Sequence, residues 1–167
     1  MTRYLTAVLL LCAMAMPALA ERPRPLGWAL DAMRGGDFAT AERIATRDGI
    51  VAQDIIIWHQ LRAAQGSYDQ LIDFTKRRPD WPSMDYLRRR SEPEVIKQNN
   101  EKIIAFFDSY PAQTPRGVLA HARALAEKGL SGPAEVNLVL AWRTMPMNAN
   151  SQAAFLKNHA ALLKPHH

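Results

Sequence analysis

The stretch Val51-Ala52-Gln53-Asp54-Ile55-Ile56-Ile57-Trp58-His59-Gln60-Leu61-Arg62-Ala63-Ala64-Gln65-Gly66-Ser67-Tyr68-Asp69-Gln70-Leu71-Ile72-Asp73-Phe74-Thr75-Lys76-Arg77-Arg78-Pro79 decides the fold class. Its first half repeats apolar side chains at Ile55, Trp58, Leu61 and Ala64, the three-residue spacing of a helix with a buried face. Gly66 stops that helix. Ser67-Tyr68-Asp69-Gln70 then opens another, because a serine hydroxyl and a glutamine three residues later can cap each other's backbone donors. The second helix carries Leu71, Phe74 and Thr75 inward and ends at Arg78-Pro79, since proline pushes its predecessor out of helical geometry.

The same grammar extends in both directions. Upstream, Leu26 to Arg34 is helical and stops at Gly35-Gly36; Phe38 to Arg47 follows, capped by Asp37 and stopped at Asp48-Gly49. Downstream, Arg78-Pro79-Asp80-Trp81-Pro82 forms a rigid connector, and Ser83 caps a short helix through Arg90. Glu92-Pro93 to Asn100 reads as a loop with one helical turn. Lys102 to Tyr110 is helical, with Ile103, Ile104, Phe106 and Phe107 on its apolar side. Thr114-Pro115 is an N-cap followed by proline at the first helical position, and that helix runs to Lys128 before Gly129. Pro133 to Thr144 and Ser151 to Leu163 complete the series. No segment alternates apolar and polar residues over strand length.

Gly36-Asp37-Phe38 and Gly66-Ser67-Tyr68 both place an aromatic two residues after a glycine that closes a helix, one helix pair apart, and Gly129 begins a weaker echo. The pattern predicts an all-α chain: an α-solenoid or superhelix of short antiparallel helix pairs, tetratricopeptide-like, in which each pair buries its face on the next.

The N-terminus reads as a cleavable secretory signal. Arg3 supplies the positive end, Leu5 to Met16 is uncharged and apolar, Pro17 breaks the run, and Ala18-Leu19-Ala20 is a small-x-small cleavage site. The run is too short to span a membrane, which takes roughly 20 apolar residues. Cleavage after Ala20 assigns residues 1–20 to the signal and residues 21–167 to one helical domain in the periplasm. The single cysteine, Cys12, would leave with the signal, so no disulfide holds the exported chain. The full chain carries a net charge of +5, of which one positive charge, Arg3, leaves too. A mild basic excess favours acidic surfaces, while nucleic acid is a poor partner for so small and scattered a charge.

Chemistry is sparse. The histidines, His59, His121, His159, His166 and His167, form no ligand pair on a helix, and none lies near the cysteine or a carboxylate cluster, so no metal or other cofactor is expected. His59 beside Trp58 reads as a histidine at the edge of the core. Glu42, Glu94, Glu101, Glu127 and Glu135 are spread over separate helices. Neither a nucleophile elbow nor a phosphate-cradling glycine loop is present. Lys76-Arg77-Arg78 and Arg88-Arg89-Arg90 flank the proline connector and offer one basic surface for an anionic partner; the plainer reading is that they are helix C-terminal cations left in water.

Asp54-Ile55-Ile56-Ile57-Trp58-His59-Gln60-Leu61-Arg62, Gly66-Ser67-Tyr68 and above all Arg78-Pro79-Asp80-Trp81-Pro82-Ser83-Met84-Asp85-Tyr86-Leu87-Arg88-Arg89-Arg90 resemble the N-terminal helical domain of soluble lytic murein transglycosylases. So do Pro111-Ala112-Gln113-Thr114, Ala141-Trp142-Arg143 and Leu162-Leu163-Lys164-Pro165-His166-His167. The likeness runs from about Trp28 to the end. It implies a U-shaped superhelix that, in such enzymes, rings a separate catalytic domain cleaving peptidoglycan glycan strands to 1,6-anhydro products. The Glu-Ser, Gly-Leu-Met-Gln and Ala-Tyr-Asn-Ala-Gly motifs of that catalytic domain do not occur here, so no catalytic residue is carried over. The expectation is an inactive scaffold whose partner is peptidoglycan (murein) or a cell-wall protein. The competing expectation is a tetratricopeptide-like adaptor for a protein partner. A superhelix cut at His167 would also leave an apolar helix face for self-association.

Overall fold

The computed structural model describes residues 25–166. The expected signal, residues 1–20 with Cys12, and His167 lie outside the described residues. Those residues form nine α-helices and two short 3-10 turns, and no strand occurs among them; the protein is all-α. The helices are α1 (Pro25–Arg34), α2 (Phe38–Ala45), α3 (Ile50–Arg62), α4 (Tyr68–Arg77), α5 (Met84–Val95), α6 (Asn100–Ser109), α7 (Pro115–Glu127), α8 (Ser131–Thr144) and α9 (Ala149–Leu163). The chain divides into two compact units at Ala52/Gln53, inside α3.

In the first unit α1 packs on α2 through Ala29, Ala41 and Ala45, all fully buried. Small side chains let two short helices approach closely. The Asp37 side chain accepts the Thr40 amide at 2.9 Å, as its position ahead of Phe38 predicts. Asp48 accepts the Leu26 amide at 2.7 Å and so satisfies a donor in the first turn of α1.

In the second unit each helix packs chiefly against its neighbours in the chain. One core gathers Leu61, Leu71, Phe74, Leu87, Ile103 and Phe106 from α3 to α6; another gathers Val118, Leu125, Leu138, Phe155 and Leu163 from α7 to α9. Ile104 and Ala112 pack against both. The Ser67–Gln70 capping box is present in full, and Thr114 accepts the Gly117 amide at 3.0 Å with Pro115 at the helix start. Asn99 and Asn148 cap α6 and α9 in the same manner.

Several expectations are corrected. The buried face of α3 is Asp54, Ile57 and Leu61 with Ile56, whereas Ile55, Trp58 and Ala64 are only partly covered. The stripe is turned, and it carries the Asp54 carboxylate among its alkyl groups. Ser83 is not a side-chain cap: its backbone is left-handed (φ +60°, ψ +35°), and its side chain makes no capping bond. A hydroxyl reaches the first helical amides only from an extended backbone. Nor does α5 stop at Arg90; it runs through Pro93 to Val95. Proline inside a helix costs about 3 kcal/mol, and here Ser91, Glu92 and Val95 all bury themselves by continuing.

The proposed repeat also shifts. Helix α1 closes with Asp37 N–H bonded to Ala32 C=O at 3.0 Å around left-handed Gly36 (φ +84°), and α7 closes likewise with Leu130 N–H to Leu125 C=O at 2.9 Å around Gly129 (φ +79°). In α3 the equivalent bond is Gln65 N–H to Gln60 C=O at 3.0 Å, and the left-handed residue is Ala64 (φ +57°), not Gly66. Gly66 serves another purpose, since a Cβ there would strike the Leu61 side chain.

Ala64 thus holds a conformation that glycine adopts at no steric cost. Ala64→Gly should raise stability by about 0.5 kcal/mol, the relief of left-handed strain exceeding the greater freedom of glycine in the unfolded chain. A lower urea midpoint for this variant would refute that balance.

Asp54 is fully buried, and Arg77 and Arg78 from the end of α4, each mostly covered, both bond its carboxylate; Arg78 Nε lies 2.7 Å from Oδ2. The Arg77→Ala/Arg78→Ala pair strands a carboxylate out of water and should cost about 3–5 kcal/mol. Asp54→Asn frees two guanidiniums that water already reaches and should cost about 1–3 kcal/mol. The order of these two losses in urea unfolding is the test.

Candidate functional site

Of the six basic residues singled out, the structure brings only Arg89 and Arg90 together on one cavity. Arg77 and Arg78 are committed to Asp54, and Arg78 also lies over the Trp81 ring at 5.4 Å. Arg88 bonds Asp85 at 3.0 Å and stacks on Tyr110 at 4.1 Å, with its side chain 17% exposed. Lys76 is exposed on α4.

The cavity on the other side of α5 has a volume of about 300 Å³. Arg89 and Arg90 reach it from α5, Arg116 from the first turn of α7, and Ala64, Pro93, Ile96, Thr114 and Gly117 complete the wall. Arg90 Nε donates to the Arg62 carbonyl at 3.3 Å, a cation satisfying the exposed end of α3. Arg89 and Arg116 are exposed. Three guanidiniums therefore face this space against one carboxylate, Glu92.

Glu92 is only 2% exposed. Its Oε1 accepts the Gln113 amide at 2.5 Å, and its Oε2 accepts the Thr114 hydroxyl. Thr114 simultaneously accepts from Gly117, so a single threonine caps α7 and ties α5 to it. A Cβ on Gly117 would occupy the place of the Glu92 carboxylate, so only glycine permits this approach. Burial raises the Glu92 pKa; the Thr114 and Gln113 donors and the Arg89 charge oppose that rise without cancelling it.

Neither Glu92 nor Arg116 stands out in the sequence: the first is next to a proline that suggests a loop, and the second is a lone cation behind a cap. The signal that joins them is the Thr114-Pro115 start, which forces an N-terminus and therefore donors toward whatever packs there.

Ile96 and Arg116 also line a larger groove of about 680 Å³ walled by α7, α8 and α9. A third cavity, of about 410 Å³, contains His121, whose Nδ1 lies 3.3 Å from the Asn137 amide and whose Nε2 lies 3.3 Å from Asp108 without the alignment of a hydrogen bond. Burial lowers the His121 pKa more than Asp108 raises it, so the ring is held toward its neutral form. His59, partly covered beside Trp58 at 4.8 Å, is likewise lowered, by burial first and Arg62 second. No group of three or more histidine, cysteine or acidic side chains suited to a metal exists among the described residues, and no described helix is long and apolar enough to cross a membrane.

Comparison of the chain with family models, curated proteins and solved structures finds no match.

The raised Glu92 pKa has a thermodynamic sign. The folded chain keeps a proton there at pH values where the unfolded chain has lost it, so this contribution to stability is full below the ordinary value near 4.5 and is lost as pH rises through the folded value. Relative to Glu92→Gln, which cannot titrate, the native protein should lose urea stability as pH rises from the ordinary value near 4.5 through the raised folded value. Parallel pH profiles for the two proteins would exclude a buried, titrating Glu92.

Proposed function

We propose that this protein is a non-catalytic helical scaffold of the periplasm, exported through its N-terminal signal, that holds peptidoglycan through anionic groups of the wall. The observation that carries the reading is the convergence of Arg89, Arg90 and Arg116 on one cavity whose only carboxylate, Glu92, is hydrogen-bonded at both oxygens by Gln113 and Thr114. Guanidiniums in excess of carboxylate in a partly enclosed space favour carboxylate or phosphate, because they offer paired donors in a fixed plane and their field is less screened than on open surface. The resemblance of Arg78 to Arg90 and its surroundings to the helical domain of lytic murein transglycosylases supplies the polymer. Packing of each helix on its chain neighbours in the second unit is compatible with a superhelical array, the architecture that resemblance implies.

The adaptor reading draws on a different feature: Val136 and Leu140 of α8 are 65% and 59% exposed, one turn apart, as on a face that meets a protein partner.

Purified protein mixed with sacculi decides between them. A wall scaffold should sediment with the sacculi, and added salt should release it, since the contact is ionic. Retention in the supernatant together with co-purification of a defined protein would favour the adaptor. No 1,6-anhydro muropeptides should be released; their appearance at the level of a full-length transglycosylase would overturn the non-catalytic assignment.

A further inference from the structure

We propose that the arginine-lined cavity and the apolar groove beside it form one site for the free carboxylate end of a short peptide with small side chains. The inference rests on the wall reading above for the source of that peptide, the peptide stems of murein.

Continuity is the first observation. Ile96 and Arg116 border both spaces, so a ligand lying in the groove comes against Arg116, which the cavity shares. The second is the groove's composition. Ala120, Ala122, Ala126, Ala134 and Ala154 line it. These methyl-sized walls, with Ile96, Leu119 and Leu138 beside them, give a mainly apolar trough that an extended backbone can approach closely. A volume of about 680 Å³ falls in the range of small-ligand sites rather than of protein interfaces.

The third observation is the uneven charge along this path. At the far rim, Arg123 is balanced by Glu127, 3.9 Å away on the same helix. At the cavity end, Arg116 meets no acid, and Glu92 spends its oxygens on Gln113 and Thr114. Glu135 of α8 adds a carboxylate to the groove but not to the cavity, so a ligand matching this pattern is apolar along most of its length and carries its negative terminus at the Arg116 end. A planar carboxylate suits paired guanidinium donors, and the end of a peptide supplies it.

The experiment titrates the full chain with trialanine, with trialanine amide and with inorganic phosphate, followed by calorimetry. Trialanine should bind saturably, and removing its terminal charge should weaken binding at least about 10-fold, the worth of a charge-assisted hydrogen bond. Arg116→Ala should abolish the difference between acid and amide, and Arg123→Ala should preserve it. Both side chains are exposed, and circular dichroism verifies that each variant is folded. Equal binding of acid and amide, a preference that survives Arg116→Ala, or displacement of trialanine by an equal concentration of phosphate would each overturn the proposal. Sedimentation with sacculi but no trialanine binding would remove this inference and leave the wall reading standing. Trialanine binding without sedimentation would do the reverse.

Discussion

The carboxylate of Asp54 sits in the middle of the buried face of α3 with no access to water. A charge in that position is tolerable only if opposite charges reach it with good hydrogen bonds. Arg77 and Arg78 do so, and this requirement fixes where α4 must end relative to α3. With that end pinned, the connector after Pro79 starts from a defined point. Trp81 packs edge-on against Phe74 at 5.9 Å, and the Trp58 indole holds the Pro82 carbonyl at 2.9 Å. Helix α5 then begins where the left-handed Ser83 directs it, which carries Arg89, Arg90 and Glu92 to the cavity.

Features set by a few adjacent residues were legible in the sequence. The Asp37 cap, the Ser67–Gln70 box and the Thr114-Pro115 start each close a hydrogen bond within three residues, so no tertiary information is needed to place them. Pro93 is the opposite case. Local rules end a helix before proline, yet α5 continues because Glu92 finds its donors 21 and 22 residues later, in Gln113 and Thr114. Burial that depends on such distant partners overrides propensity and leaves no local trace. Ala64 shows the same limit on a smaller scale: glycine marks a left-handed closure, and a chain that uses alanine instead hides it.

The charge runs illustrate why a site is harder to read than a fold. Lys76 to Arg78 and Arg88 to Arg90 are equivalent as strings of cations. In three dimensions Arg77, Arg78 and Arg88 are consumed by Asp54, Asp85, Trp81 and Tyr110, while Arg89 faces a cavity. Which cations remain for a ligand is decided by acids and rings from other helices. Arg116 completes the set from a helix that the sequence links to this surface only through its cap.

Glu92 and an anion seated among the arginines are coupled by charge. Ionised Glu92 lowers the positive potential of the cavity and repels an incoming carboxylate; protonated Glu92 does neither. By linkage, an anion bound there must raise the Glu92 pKa further, by the same free energy with which protonation of Glu92 tightens the anion. The Thr114 and Gln113 donors favour the ionised form whether or not a ligand is present, so they lower the pKa from which this shift starts and leave the coupling itself unchanged. A buried carboxylate at the base of a cationic cavity therefore acts as a graded counterweight. Ionised, it offsets part of the charge of the three arginines; protonated, it leaves that charge to an arriving anion.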